Sequence, residues 1–246
     1  MRFSHKIKKL LSGQGLASAR RHTLRSIRTK RFPLAPERVI ETIDPVAFEQ
    51  IRQRYAVNNP TEDWRKYLDL NRWIAINIRR IRDIELDLAR RKRILDLGCG
   101  AGYFLYIAQL LGHRGFGLDL DRVPMFAEIT RLLGVRRVVQ RIRAFHPLPD
   151  LGGKFDLITA FMICFNNHRH ANLWGVAEWN FFLDDIAKHL ASRGRVWLEL
   201  NRESDGTLYT PELKEFFQKR GARIDEHKIM FNSGLPEPAS TSSVAH

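Results

Sequence analysis

Three glycines at alternate positions, Gly98, Gly100 and Gly102, follow a short apolar run and form the most promising ligand-binding feature of this sequence. Glycine adopts left-handed backbone conformations and lets a ligand approach the main chain closely. Asp96 stands two residues before the first glycine, and Asp119 ends the next apolar run. Because a carboxylate accepts hydrogen bonds through both oxygens, Asp119 suits the two hydroxyls of a ribose. The spacing therefore predicts a nucleotide-like ligand at a strand-to-helix turn.

The glycine spacing excludes two common phosphate-binding motifs. A dinucleotide-binding turn needs Gly-x-Gly-x-x-Gly, and its third glycine would fall at Tyr103. A P-loop ends in Gly-Lys followed by Ser or Thr, and this turn lacks that ending. The remaining pattern is Asp-x-Gly-x-Gly-x-Gly, which belongs to a different class of ligand site.

The stretch ILDLGCGAGYF resembles the first motif of class I S-adenosylmethionine-dependent methyltransferases, and the resemblance extends over residues 93–231. It implies S-adenosylmethionine as the cofactor. In the family an acid at the position of Asp119 holds the ribose, and Leu120 would then lie against the adenine. Asp121 is expected to cap the helix that follows. The third strand lacks the acid that many members have near the adenine, so the adenine is expected to be recognised through packing by Ala144 or Phe145. Phe161 should border the methionine part of the cofactor. The cofactor-binding residues implied are Asp96, Leu97, Gly98, Cys99, Gly100, Gly102, Tyr103, Asp119, Leu120, Ala144, Phe145 and Phe161.

A loop rich in His, Asn and aromatic residues, 164–174, follows the fourth predicted strand. His168 or His170 is a candidate base, since histidine titrates near neutrality. Trp174 and Trp179 would wall the pocket. The alternative is a surface loop with incidental histidines, because loops vary freely as well as carrying function. Two histidines without an evident third ligand predict no metal site.

Short apolar runs alternate with helical stretches after residue 92, which predicts an α/β domain. The fold class expected is a doubly wound, Rossmann-like, mostly parallel sheet with helices on both faces. Six or seven strands are expected, with six favoured, since the last predicted strand is 222–231 and residues 232–246 offer no further candidate. That final stretch has the composition of a flexible tail.

An N-terminal helical cap, residues 37–92, precedes this domain. A helix is expected over 45–57, and a second helix capped by Thr61 should carry Trp64, Tyr67 and Trp73 on its apolar side. The neighbouring residues Arg79, Arg80, Arg82 and Asp83 would take its other side. This helix would pack on the domain, or it would act as a lid whose aromatic residues touch a substrate.

The formal net charge of +14 is concentrated in a basic arm, residues 1–36. Residues 1–40 contain eleven Lys or Arg and one Glu, which leaves +4 for the other 206 residues. The arm is either a solvated, flexible tail or an attachment to an anionic surface, either a membrane or RNA. Cytoplasmic localisation is expected, with peripheral membrane attachment as an option, or mitochondrial targeting if the source is eukaryotic. The two cysteines exclude a disulfide scaffold, and no apolar run is long enough to span a membrane.

Three functions are consistent with these features. The first is a methyltransferase that acts on O or N of a small-molecule, lipid or glycan acceptor, which a nearly neutral body and an aromatic cap favour. The second is an RNA methyltransferase whose basic arm contacts phosphates. The third is a binding protein that has the cofactor fold and no transferase activity.

Overall fold

The computed structural model describes residue 23 and residues 34–57, 63–163, 173–203, 205–232 and 234–235. The α-helices in this part of the chain are Pro36–Ile40 (α1), Pro45–Arg52 (α2), Leu70–Asp83 (α3), Tyr103–Leu110 (α4), Pro124–Leu132 (α5), Val176–His189 (α6) and Pro211–Lys219 (α7). The strands are Arg93–Leu97 (β1), Arg114–Asp119 (β2), Arg136–Val139 (β3), Phe155–Ile163 (β4), Leu190–Leu200 (β5), Arg223–Asp225 (β6) and Lys228–Phe231 (β7). A π-helical turn, Gln53–Val57, and a 3₁₀ helix, Asp63–Leu68, complete the cap.

The strands form one sheet in the order β3-β2-β1-β4-β5-β7-β6. The first five strands in this order are parallel, and β7 pairs antiparallel with both β5 and β6. The chain reverses its direction of travel across the sheet between β1 and β4. Ligands of open α/β sheets bind at such a switch point, outside the carboxyl ends of the strands.

The doubly wound fold is confirmed, and the sheet has seven strands rather than six. The error lay in the stretch expected to be a single strand, 222–231, which is a hairpin formed by β6 and β7. Glu226 makes the reversal possible with a φ of 48°. A left-handed backbone at a non-glycine residue has no clear sequence signature, because glycine is the usual occupant.

Two apolar clusters cover the two faces of the sheet. The first cluster joins the cap to α4 and α5, with Ile74, Ile107 and Ile129 fully buried. The second packs α6 and α7 against the opposite face around Phe217 and Phe155. Both faces of the central strands β1 and β4 are therefore buried, as the helix–strand alternation predicts, whereas the edge strand β3 is largely exposed.

The cap differs from the single helix expected after Thr61. The 3₁₀ helix ends at Leu68, and α3 begins at Leu70 because the Asp69 side chain accepts a hydrogen bond from the Arg72 amide at 3.0 Å. Asp69 is thus the observed cap, and Thr61 lies outside the described residues. At the other end of α3, Arg195 of β5 donates to the Ile84 carbonyl at 3.0 Å, which fixes the helix to the sheet.

Candidate functional site

A cleft of about 1310 Å³ lies at the carboxyl ends of β1, β2 and β4, beneath the cap. Ten of the twelve residues predicted to bind the cofactor line it. They are Asp96, Gly98, Cys99, Gly100, Gly102, Tyr103, Asp119, Leu120, Ala144 and Phe161. The structure therefore brings together residues from four segments that are distant in sequence. Their roles toward a ligand stay predictions.

The glycine turn is held in its bent form by the main chain of β2. Gly98 donates from its amide to the Leu118 carbonyl at 2.7 Å, and all three glycines have positive φ: 71°, 53° and 77° at Gly98, Gly100 and Gly102. At Gly102 a Cβ atom would lie 2.9 Å from Cγ2 of Thr130, so a side chain is excluded there by both conformation and contact. This packing allows α4 to start directly after the turn.

The Asp119 carboxylate binds the glycine turn from the neighbouring strand. One oxygen accepts a hydrogen bond from the Gly100 amide, and the other accepts from the Leu120 amide at 2.6 Å. Burial raises the pKa of Asp119, and the two amide donors oppose that increase. The carboxylate is thus already oriented at the mouth of the turn, where a ligand hydroxyl could reach its remaining lone pairs.

Asp96 lies deeper, at the end of β1, and is almost completely buried. Thr159 of β4 donates to its Oδ1 atom at 2.7 Å. Burial raises the pKa of Asp96 from 3.8 to about 7, against the opposing effects of Thr159 and the positive charge of Arg80. A carboxylate in this setting gains most from a cationic partner, since burial penalises its unpaired charge.

The remaining sequence-predicted residues differ in their position relative to the cleft. Leu97 is fully buried in the apolar cluster beneath α6 and does not line the cleft. Phe145 is 53% exposed and contacts Phe181 edge-on. Trp174 lines the cleft, as predicted. Trp179 packs against Phe217 in the core, so the prediction that it would line the pocket was wrong.

Other predicted positions near the cleft have different outcomes. His168 and His170, the candidate bases, lie outside the described residues. Asp121, expected to cap a helix, pairs instead with Arg137, and α5 begins at Pro124 with Val123 before it. Cys99 is a buried free thiol, and burial raises its pKa well above the ordinary value. The cysteine therefore belongs to the packing of the turn.

Sequence reasoning missed a buried ion pair whose arginine lines the cleft. Arg80 of α3 lies 3.3 Å from Glu199 of β5, and their side chains are only 15% and 6% exposed. The Arg80 guanidinium also lies over the Phe161 ring, 4.3 Å from its centre. Expecting Arg80 on the solvent side of the helix was wrong. Trp73, Asn77 and Arg80 recur at i, i+4 and i+7, and this spacing places all three on the face that lines the cleft.

Aromatic side chains of the cap form one wall of the cleft. Tyr67 stacks on Trp73 with ring centres 4.2 Å apart, and Trp64 and Tyr67 both meet Phe126 of α5 edge-on. Tyr103 fixes this wall to the turn, since its hydroxyl donates to the Tyr67 carbonyl at 2.8 Å. The wall presents apolar rings to the cleft, and Trp64 remains 42% exposed.

Comparison with known protein families identifies the family of this chain. A family model described as a methyltransferase domain matches residues 64–233, which include α3 of the cap and the whole sheet. The chain belongs to this methyltransferase family. It is an S-adenosylmethionine-dependent methyltransferase of class I, and its fold is the seven-stranded, Rossmann-like fold of that class. The assignment favours an enzyme over the non-catalytic binding protein.

Solved structures of several methyltransferases are similar to this one. S-adenosylmethionine-bound CalS10, an amino pentose methyltransferase from Micromonospora echinaspora, is 29% identical over 65% of this chain and 57% of its own, with a TM-score of 0.37. A TehB-like methyltransferase from Corynebacterium glutamicum is 18% identical over 77% of this chain and all of its own, with a TM-score of 0.45. A ribosomal protein L11 methylase from Lactobacillus delbrueckii is 18% identical over 61% and 72% of the two chains, with a TM-score of 0.41. No curated protein matches the sequence.

The described part of the chain has neither a helix of membrane-spanning character nor a cluster of metal-ligating side chains. None of its helices is long and apolar enough to cross a membrane. The same residues contain no group of three or more His, Cys, Asp or Glu side chains arranged to hold a metal ion.

Proposed function

We propose that this methyltransferase transfers a methyl group to an O or N atom of a small-molecule, lipid or glycan acceptor. The observation that supports its cofactor site is the Asp119 carboxylate, which is bound to the Gly100 amide inside the cleft. S-adenosylmethionine supplies a methyl group that is already activated by its positive sulfur. The protein therefore contributes chiefly through positioning.

The described residues are suited to that task. Asp119 would accept the ribose hydroxyls, while the glycine turn lets the nucleoside approach its main chain. Leu120 and Ala144 would pack on the adenine, and Phe161 would border the methionine part. The cap above the turn would keep water from the reacting atoms, which strengthens the electrostatic interactions inside the cleft.

The size of the cleft supports binding of an acceptor beside the cofactor. Its volume of about 1310 Å³ exceeds the ~300–1,000 Å³ of ordinary single-ligand pockets. The aromatic wall formed by Trp64, Tyr67 and Trp73 favours an acceptor with an apolar or ring-shaped part. His168 or His170 remains the proposed base, needed only if the acceptor carries a proton of high pKa.

Calorimetric titration with S-adenosylhomocysteine, the demethylated product, tests the cofactor site. Asp119→Ala removes the acceptor of both ribose hydroxyls, so its affinity should fall at least ~10-fold. Asp121→Ala is the matched control, because it deletes a carboxylate two residues away that pairs with Arg137 and does not line the cleft. Equal affinities for wild type and Asp119→Ala would refute the assignment. A screen of acceptors for methylated product should follow.

RNA is a second candidate acceptor, supported by exposed cations at the mouth of the cleft. Lys66, Arg122 and Arg143 come from three separate segments and line its rim. The basic arm, residues 1–36, adds ten Lys or Arg. For this candidate, binding of a polyuridylate 20-mer should weaken steeply with salt and be lost when residues 1–35 are removed. Weak binding that is insensitive to both changes would favour the first proposal.

A further inference from the structure

Strand β4 ends in a local irregularity at the edge of the sheet that lines the cleft. Its pairing with β5 is regular up to Phe161, which lies opposite Glu199. It resumes at Ile163, opposite Leu200, so two residues of β4 span one step of β5. Met162 is therefore an extra residue in β4, a β-bulge. Its φ of 54° lies in the left-handed region, which a methionine rarely adopts.

The bulge changes the face of the sheet to which the next side chain points. Successive side chains of a strand point to opposite faces, so residues two apart normally share a face. Phe161 belongs to the first apolar cluster, on the cap side, whereas Ile163 packs against the second cluster, on the opposite face. Without the extra residue, Ile163 would point to the same side as Phe161. The bulge thus re-aims Ile163 beside the cleft.

The redirected Ile163 side chain lies against the glycine turn. A Cβ atom at Gly98 would lie 2.9 Å from Cδ1 of Ile163, so the isoleucine fills the space beside the first glycine. Both residues line the cleft. On its other side Gly98 is held by the hydrogen bond from its amide to the Leu118 carbonyl. The start of the turn is therefore supported from β2 and from β4.

Asn201, the residue after β5, holds the bulge in this form. Its side-chain amide donates a hydrogen bond from Nδ2 to the Met162 carbonyl oxygen. A left-handed conformation at a non-glycine residue costs free energy, so it persists only where the surrounding structure fixes it. Asn201 and Met162 both line the cleft. The hydrogen bond that fixes the bulge is therefore part of the site itself.

We infer that Asn201 is a positioning residue for cofactor binding, which acts on the glycine turn through the Met162 bulge and Ile163. The inference rests on the proposed cofactor site and deepens it. Without the Asn201 donor, Met162 would relax toward an extended conformation, and Ile163 would move away from Gly98. The turn would then populate other conformations. A ligand that requires the observed one would bind more weakly, in proportion to the fraction of molecules that retain it.

Calorimetric titration of Asn201→Leu with S-adenosylhomocysteine tests the first step. Leucine is uncharged and similar in size, and it cannot donate to the Met162 carbonyl. The affinity should fall about 5- to 20-fold, as expected when a hydrogen bond that fixes one conformation is lost. Asn201→Ala removes the same donor and should show the same loss. Asn232→Leu, at an exposed position outside the cleft, is the matched control and should leave the affinity unchanged.

Two backgrounds separate a positioning role from a direct contact with the ligand. Glycine adopts a left-handed conformation without penalty, so adding Asn201→Leu to Met162→Gly should cost less than about twofold in affinity. In Ile163→Ala the group that reaches the turn is already removed, and the same addition should again cost less than about twofold. Glu85→Gly is the control for Met162→Gly. Glu85 also has a positive φ, of 62°, but lies outside the cleft, so the affinity should not change. Melting curves of each variant check the fold.

The outcomes distinguish the inference from the proposal beneath it. If Asn201→Leu costs as much in Met162→Gly and in Ile163→Ala as in wild type, Asn201 does not act through the bulge and the inference is overturned. An unchanged affinity in Asn201→Leu overturns it as well, and wild-type binding that is weakened by Asp119→Ala would still support the cofactor site. If the wild-type protein does not bind S-adenosylhomocysteine, the proposed cofactor site itself fails, and the role of Asn201 fails with it.

Discussion

Replacing Asp96 by Asn should make the ligand-free protein more stable in alkaline solution while weakening its hold on the cofactor. The Asn side chain has the shape of the protonated carboxyl, and its Oδ1 atom can keep the hydrogen bond from Thr159. What the substitution removes is a buried negative charge. The native state tolerates that charge poorly, because burial raises the pKa of Asp96 to about 7.

The magnitude follows from the difference between the folded and unfolded pKa values. A rise from 3.8 to about 7 corresponds to about 4 kcal/mol of lost stability once both states are ionised. Because the folded pKa is the higher of the two, the native state loses stability as the pH rises from 3.8 to 7, and the loss is complete above 7. About 3 kcal/mol of this loss falls between pH 5 and pH 8.

Urea unfolding of wild type and Asp96→Asn at pH 5 and pH 8 measures this effect directly. Between pH 5 and pH 8, the free energy of unfolding of the variant should rise by about 3 kcal/mol relative to that of wild type. Taking this difference removes the contributions of the titratable groups that both proteins share. Asp121→Asn controls for the loss of one negative charge outside the cleft. In the same samples, the affinity of wild type for S-adenosylhomocysteine should increase with pH between 6 and 8, because an ionised Asp96 would attract the positively charged amino group of that ligand.

Two results would refute this reasoning. One is an Asp96→Asn variant whose stability relative to wild type is the same at pH 5 and pH 8, since Asp96 would then titrate alike in both states. The other is a variant that binds S-adenosylhomocysteine as tightly as wild type at pH 8. The second result would leave the buried carboxylate without a role toward the cofactor.

Three further predictions concern the turn and the core. In urea unfolding, Gly102→Ala should lower the free energy of unfolding by about 1–3 kcal/mol more than Gly112→Ala does. Both positions have positive φ, but only at Gly102 would the added Cβ atom contact Thr130. Equal losses would contradict this prediction. Cys99 should react with iodoacetamide at pH 8 more than ~10-fold more slowly in the folded than in the unfolded protein, followed by peptide mass spectrometry, and similar rates would disprove its burial. Phe217→Ala should cost about 3–5 kcal/mol of stability and leave the affinity for S-adenosylhomocysteine unchanged, since Phe217 packs on the face away from the cap; a loss of affinity in the folded variant would argue otherwise.

The parallel strands could be predicted from the sequence because their signals are local. The runs 93–97 and 114–119 are apolar, short and bounded by turn residues, and β1 and β2 have those bounds. The glycine spacing likewise indicated the turn and its place before a helix. The short strands and the glycine turn depend on residues that are close together in the chain. They can therefore be predicted without knowing which distant residues will pack against them.

Other features depend on contacts that the sequence does not display. The polar character of Arg80 suggested solvent, but Glu199, far away in the chain, offers it a buried partner. The reversal at Glu226 depends on a left-handed backbone conformation, and a glutamate in the sequence does not indicate that conformation. Asp121 could not be told from a helix cap until the position of Arg137 on the next strand was known.

The division of the core into two clusters has a consequence for how this enzyme could change over generations. The cap, the turn and helices α4 and α5 share one cluster, so a substitution among them alters both the shape of the cleft and the support beneath it. Helices α6 and α7 share the other cluster, on the reverse of the sheet. Neutral drift among the residues of α6 and α7 that lie away from Trp174 should leave the choice of acceptor unchanged. New acceptor preferences should arise on the cap side, where each gain is coupled to stability.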